Sequence, residues 1–121
     1  IYSATTNIQS QTANTAGSHL ASSLGVMASL AETKKYPQSL FEGGEATVHV
    51  PVEHGLGGRN QHTVLAAAHD VLVRQKREWP AGTLVASFGT DGEDGPTSAA
   101  GGFIDSDVAK SLGCQPKGIT E

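Results

Sequence analysis

The sequence predicts a single-domain α/β fold, a small mixed sheet with helices packed on it, and three observations carry that expectation. The 121 residues include 15 glycines and few aromatics, and small residues let helices lie close on a sheet. Residues 46–50 and 83–88 read as strands, the first by alternation and the second as a compact apolar run. Between them Val64, Leu65, Ala68, Val71 and Leu72 fall on one stripe of a helix.

Taken in order, residues 1–23 are polar, and 12–24 predict a helix with Ala13, Ala16, Leu20 and Leu24 on one side. Gly25 is its expected stop and Gly17 counts against it. Residues 26–31 either continue the helix or form a short buried strand, and 34–39 read as a polar connection broken by Pro37. Ala46, Val48 and Val50 alternate with Thr47 and His49 as a strand that Pro51 limits to an edge or an end. Residues 61–76 give the clearest helix, and Pro80 and Gly82 close its connection to a buried strand at 83–88. Residues 99–104 read as a short strand, or a helical turn followed by one. A last helix over 107–112 is capped by Asp105 or Ser106 and ended by Gly113.

Charge and cysteine usage exclude several classes. A net charge of −4 with no clustered basic block argues against nucleic acid or an anionic membrane as the main partner. The basic residues at 74–77 read as a solvated helix end. No apolar run approaches the ~20 residues that span a bilayer, and no signal peptide is evident. Cys114 is the only cysteine, which rules out an internal disulfide and fits a reducing, cytoplasmic setting. A first residue of Ile rather than Met suggests a piece of something longer.

Three cassettes sit where apolar runs meet glycine-rich turns: Gly43-Gly44-Glu45-Ala46-Thr47-Val48, Gly55-Leu56-Gly57-Gly58-Arg59-Asn60-Gln61 and Gly89-Thr90-Asp91-Gly92-Glu93-Asp94-Gly95-Pro96-Thr97. In the middle cassette, glycines before a helix start can gather N–H groups into an anion site, and Arg59 adds a two-pronged contact to phosphate or carboxylate. The competing reading is a glycine-rich turn with Arg59 as a surface cation and Asn60 as a cap. The segment lacks the Lys-Ser/Thr of a P-loop and the final glycine of a dinucleotide fingerprint.

In the third cassette, Asp91, Glu93 and Asp94 follow a strand end, where carboxylates can hold Mg²⁺ or take a proton from a hydroxyl. The alternative is two Asp-Gly turns, with Thr97 or Ser98 capping the next turn. Glu45 either reaches across to Arg59 or stays an exposed carboxylate. Histidines 19, 49, 54, 62 and 69 form no metal motif; His62 and His69 lie about 10 Å apart along a helix. No nucleophile elbow is present, and Cys114 has no evident activating partner.

Together, in order and spacing, the three cassettes and the adjoining Ala99-Ala100-Gly101 resemble the C-terminal MOFRL-type domain of the two-domain glycerate kinases, over roughly residues 42–113. The resemblance divides the chain into 1–41, a poorly matched N-terminal segment of the same domain, and 42–121, a MOFRL-like α/β domain truncated at its C-terminus. It implies one side of a cleft whose other side is a larger N-terminal domain, carrying nucleotide contacts and an important Lys. Such enzymes transfer the γ-phosphoryl group of ATP to D-glycerate, commonly giving 2-phosphoglycerate, with Mg²⁺. By motif matching the cleft-facing residues are Arg59 and Asp91, with Asp91 also a metal ligand. Glu45, Gly57, Gly58, Asn60 and Thr90 are the expected substrate- or phosphate-positioning residues. A chain without the partner domain is expected to be inactive and open to self-association through exposed apolar surface. The alternatives are a fragment of a hydroxypyruvate reductase-type enzyme and a stand-alone small-anion-binding module.

Overall fold

The computed structural model describes residues 2–5 and 12–113. Its elements are β1 (Tyr2–Thr5), α1 (Ala13–Lys34), β2 (Leu40–Gly43), α2 (Arg59–His69, extended by a π-helical turn at Asp70–Arg74), β3 (Leu84–Phe88), β4 (Gly101–Asp105) and α3 (Ser106–Gly113). The fold is α/β, with parallel and antiparallel pairing in separate two-stranded sheets. β1 runs parallel to β2, and β3 pairs antiparallel with β4, placing Ala86 opposite Phe103.

α1 starts at Thr12, whose hydroxyl accepts the Thr15 N–H at 3.2 Å. It does not stop at Gly25. An interior glycine costs a helix only about 1 kcal/mol, and Met27, Ala28, Leu30, Ala31 and Glu32 are good helix formers, so residues 26–31 continue as helix rather than strand. The helix ends at Lys35, which takes a left-handed conformation (φ 64°) and donates its N–H to the Ala31 carbonyl.

α1 crosses α2 through small residues. Ala13, Ala16, Gly17 and Ala21 are buried, and a Cβ placed on Gly17 would lie 2.5 Å from both the Ala66 methyl and the Thr63 carbonyl oxygen. The glycine that weakens a helix on propensity grounds is thus what lets the two helices touch. The core continues from this crossing through Leu24, Val64, Ala67 and Val71 to Trp79, Val85, Ile104 and Ala109. Each large side chain sunk there contributes about 1.5–3 kcal/mol. The Trp79 indole N–H is satisfied by the Thr83 carbonyl at 3.2 Å.

In the π turn the Gln75 N–H bonds the Asp70 carbonyl. Asp70 is buried there, and its carboxylate is held by Arg74 and by Gln75 Nε2 at 2.7 Å. The basic run at the helix end therefore begins with a residue committed to an ion pair. α3 is capped by Asp105, whose carboxylate accepts the Val108 N–H at 2.9 Å.

Two strand expectations are corrected. Residues 46–50 form no strand: among the described residues their pairing is a bridge between Thr12 and Thr47. Alternation supplies a two-faced pattern but, among the described residues, no neighbouring ladder, and Val50 and Val52 are exposed. β3 is buried on one face only, by Val85, while Leu84 and Phe88 are exposed on the other. An apolar run does not reveal whether both sheet faces are covered.

The two glycines of α1 give opposite expectations. Gly17→Ala forces the helices apart and lowers stability by about 1–3 kcal/mol despite the gain in propensity. Gly25→Ala meets nothing within 4 Å and raises stability by about 0.5–1 kcal/mol. Urea unfolding of both variants checks the pair of signs.

Candidate functional site

The glycine-rich segment before α2 and the acidic loop after β3 lie against each other, and one side chain holds them there. Asp94 is 2% exposed. Its Oδ1 accepts the Asn60 backbone N–H at 2.9 Å and Asn60 Nδ2 at 3.1 Å. Its Oδ2 accepts the Gln61 backbone N–H at 2.9 Å and Gln61 Nε2 at 3.0 Å. Two amides of the first turn of α2, which have no partner within the helix, are satisfied by a carboxylate more than thirty residues away in sequence, and the helix dipole adds to the attraction.

Further bonds extend the tie. Gln61 Nε2 also donates to the Thr97 hydroxyl, which donates to the Asp94 carbonyl at 2.7 Å. The Ser87 hydroxyl, near the end of β3, donates to Asn60 Oδ1 at 2.7 Å. The backbones meet too closely for side chains. A Cβ on Gly58 would lie 2.3 Å from the Asp94 carboxyl carbon, and one on Gly95 would lie 2.3 Å from the Gly57 carbonyl. Gly58 is extended at φ −149°, so its requirement is steric, whereas Gly95 also has a positive φ of 61°.

Arg59, the first residue of α2, points away from this buried tie. Its Nη1 donates to Glu45 Oε1 at 2.9 Å and reaches the Ala46 carbonyl at 3.4 Å. The two side chains are 54% and 67% exposed, so their attraction is screened and weak enough for another anion to compete. Asp91 is exposed in a tight turn. Its Oδ1 accepts the Glu93 N–H at 3.0 Å, fixing the carboxylate locally, and Gly92 closes the turn at φ 81°. Thr90 is exposed beside it.

Asn60, Gly57 and Gly58 thus stand within the tie, with the Asn60 and Gln61 amides engaged by Asp94. Arg59, Glu45, Thr90 and Asp91 stand outside it and are accessible. The chain alone gave no sign that Asp94, Gln61, Ser87 and Thr97 act as one network. An Asp-Gly pair reads as a turn, and a glutamine in a first helical turn reads as solvated.

Burial from water pushes the Asp94 carboxyl up, but the hydrogen bonds from Asn60 and Gln61 outweigh it, and the net pKa lies below the ordinary 3.8. For Asp70 the bond from Arg74 is the largest influence, opposed by burial and helped by Gln75, and its pKa is also lowered. Of the histidines, His19 pairs with Glu42 at 2.9 Å and His62 bonds Asn14 at 2.8 Å. Among the described residues no group of three His, Cys, Asp or Glu side chains can hold a metal ion, and no helix is long and apolar enough to cross a membrane. Cys114 lies outside the described residues.

Both the helix start and the loop fall within a stretch that resembles known proteins. The model of the MOFRL family matches residues 38–119, well over half of the chain, and the chain belongs to that family. It is 47% identical over 78 residues to D-glycerate 2-kinase of Thermotoga maritima, a match covering 64% of this chain and 17% of that protein. It is 35% identical over 118 residues to glycerate 2-kinase of Pyrococcus horikoshii, covering 98% of this chain and 24% of the relative. A crystallised protein of Pyrococcus horikoshii OT3 superposes with a TM-score of 0.74 at 33% identity, over 98% of this chain and 25% of that one. The chain therefore spans a quarter or less of the length of these relatives.

The depressed carboxyl of Asp94 gives a pH dependence of definite sign. With its folded pKa below the unfolded value of about 3.9, its stabilisation is complete above that value and is lost as pH falls through the folded pKa. Thermal unfolding of the wild type and Asp94→Asn should differ by a constant amount above about pH 5, with the gap closing below the ordinary carboxylate value. A gap unchanged down to pH 2 would show that Asp94 carries no such linkage.

Proposed function

We propose that the chain is the C-terminal domain of an ATP-dependent glycerate kinase, presenting Arg59 and Asp91 on one wall of a cleft whose other wall is an N-terminal domain. The observation that supports this reading is the tie at Asp94, which joins the segment carrying Arg59 to the loop carrying Asp91 while leaving both side chains exposed. The names of the relatives supply the substrate.

In this reading the Arg59 guanidinium releases Glu45 and neutralises the D-glycerate carboxylate or the moving phosphoryl group. Asp91 orients the glycerate hydroxyl and accepts its proton as the hydroxyl oxygen bonds the γ-phosphorus of ATP and the bond to the β-phosphate oxygen breaks. Mg²⁺ takes one or two protein carboxylates beside waters and substrate phosphates, a demand the exposed carboxylate of Asp91 suits. Asp91 would be that ligand, and the ion would neutralise phosphate charge. Glu45 and Thr90 position the substrate, while Asn60, Gly57 and Gly58 shape the loop beneath it. A cytoplasmic setting belongs to the same reading. A stand-alone anion module has less to rest on, because the helix-start amides it would use already bond Asp94.

The isolated chain is inactive in this reading, since the nucleotide contacts lie in the partner domain. Backbone NMR shifts followed during separate and joint additions of D-glycerate, ATP and Mg²⁺ test the site. Shifts confined to Arg59, its neighbours and residues 89–92, and lost in Arg59→Ala and Asp91→Asn, are expected. Shifts that survive both substitutions would remove these residues from the reading, and efficient ATP-dependent phosphorylation of glycerate by the separate chain would remove the claim of inactivity.

Self-association is the remaining part of the proposal. Leu84, Phe88 and Phe103 are exposed on one face of β3 and β4, around Ala86, and a two-stranded sheet is marginal without a further layer. A second copy covers this face at high concentration. Sedimentation velocity should show a concentration-dependent dimer that weakens in a Phe88→Ser, Phe103→Ser double variant; a strict monomer would contradict it.

A further inference from the structure

The two walls of the Asp94 tie differ in kind. One is a helix end, anchored by the crossing of α1 on α2; the other is a glycine-rich loop strung between β3 and β4. A loop with three glycines between positions 89 and 95 has little intrinsic stiffness, so its placement depends on whatever holds it. The Asp94 carboxylate receives four donors from two consecutive residues, two on each oxygen, and it lies three residues after Asp91.

We infer that Asp94 is the positioning residue of the site: it touches neither substrate nor nucleotide, and fixes the loop bearing Asp91 in register with the helix start bearing Arg59. The functional consequence rests on the kinase reading; the mechanical one rests on geometry alone. No other residue type fills this place. Asparagine has one acceptor where both carboxylate oxygens are needed, so its own N–H₂ would face donors of Asn60 or Gln61. Glutamate carries an extra methylene into a contact where Gly58 already has no room for a Cβ. Hydrogen bonds to a buried charge are among the stronger ones, which suits one residue to order a whole loop.

The test uses the full chain and three variants. Asp94→Asn should leave exchange protection of the Ala67 and Ala68 amides within about twofold once corrected for global stability. It should lower protection of the Asn60 and Gln61 amides by about tenfold or more and raise fast motion of residues 89–93 and of the Arg59 Nε–H by ¹⁵N relaxation. Gln61→Met, which removes one side-chain donor, should shift the same signals in the same direction by less. Val71→Ala destabilises the core and should leave loop order unchanged, separating positioning from general stability.

In a parallel titration with D-glycerate and with inorganic phosphate, Asp94→Asn should weaken binding by about tenfold or more and Val71→Ala should not. Unchanged order of residues 89–93 and Arg59 in Asp94→Asn overturns the inference. If the wild type binds neither probe while the loop loosens as described, the mechanical role of Asp94 stands and the binding site proposed for the isolated chain falls.

Discussion

A buried carboxylate must be satisfied or neutralised, and Asp94 meets that demand with four donors at the start of α2. Much of the surrounding arrangement is set by it. The donors come from Asn60 and Gln61, so α2 must begin at Arg59, just ahead of them. The carboxylate must reach the helix axis, so Gly58 can carry no side chain and Gly57 lies pressed against Gly95. Ser87 then donates to Asn60 Oδ1 and Thr97 accepts a second bond from Gln61 Nε2, fixing the end of β3 and the return of the loop. A charge at the positive end of a helix dipole has a favourable field as well as hydrogen bonds.

The second constraint is the close crossing of α1 and α2, which gives the carboxylate a rigid helix to bond. Small residues create it, since Gly17 and its alanine neighbours bring two backbones within reach of each other. The cost is a weaker α1, offset by burial of Leu24, Val64, Ala67 and Val71. Beyond Leu24 no residue of α1 is fully buried, and the second half of the helix adds to its own backbone bonds and Lys35 cap only the partial burial of Met27, Ala28, Leu30 and Ala31.

What the sequence disclosed was mostly local. Val64, Ala68 and Val71 announce α2 by period, Val85 and its neighbours announce β3, and Asp105 ahead of a short apolar pattern announces α3. The family resemblance also associated the loops around Arg59 and Asp91, which the Asp94 tie joins. What stayed hidden was non-local: Asp94 and Asn60 are far apart in the chain, and no periodicity marks their bond. The same limit explains residues 46–50, where an alternating pattern met no ladder among the described residues, and β3, where apolar residues on both faces found cover on one. Gly25 misled for a different reason, because a terminating residue and a tolerated one look alike until the next turn of helix is placed.

The occupied helix start also alters the electrostatic division of labour in the proposed site. An open helix N-terminus would hold a phosphate through backbone amides. Here those of Asn60 and Gln61 bond a residue of the same chain, so in that reading the positive charge this domain offers a substrate is concentrated in one guanidinium. Arg59 rests on Glu45, an exposed partner held by a weak, screened attraction. That arrangement suits an anion that arrives and leaves, since exchanging one carboxylate for another costs Arg59 little desolvation. In the proposed kinase a triphosphate would carry far more charge than one arginine can neutralise, so the remaining donors would come from the partner domain. The buried carboxylate and the exposed one then have complementary tasks. In the proposed site Asp94 gives its charge to the fold and orders the loop, and Asp91, pinned locally by the Glu93 amide and exposed, is the carboxylate left to meet a ligand.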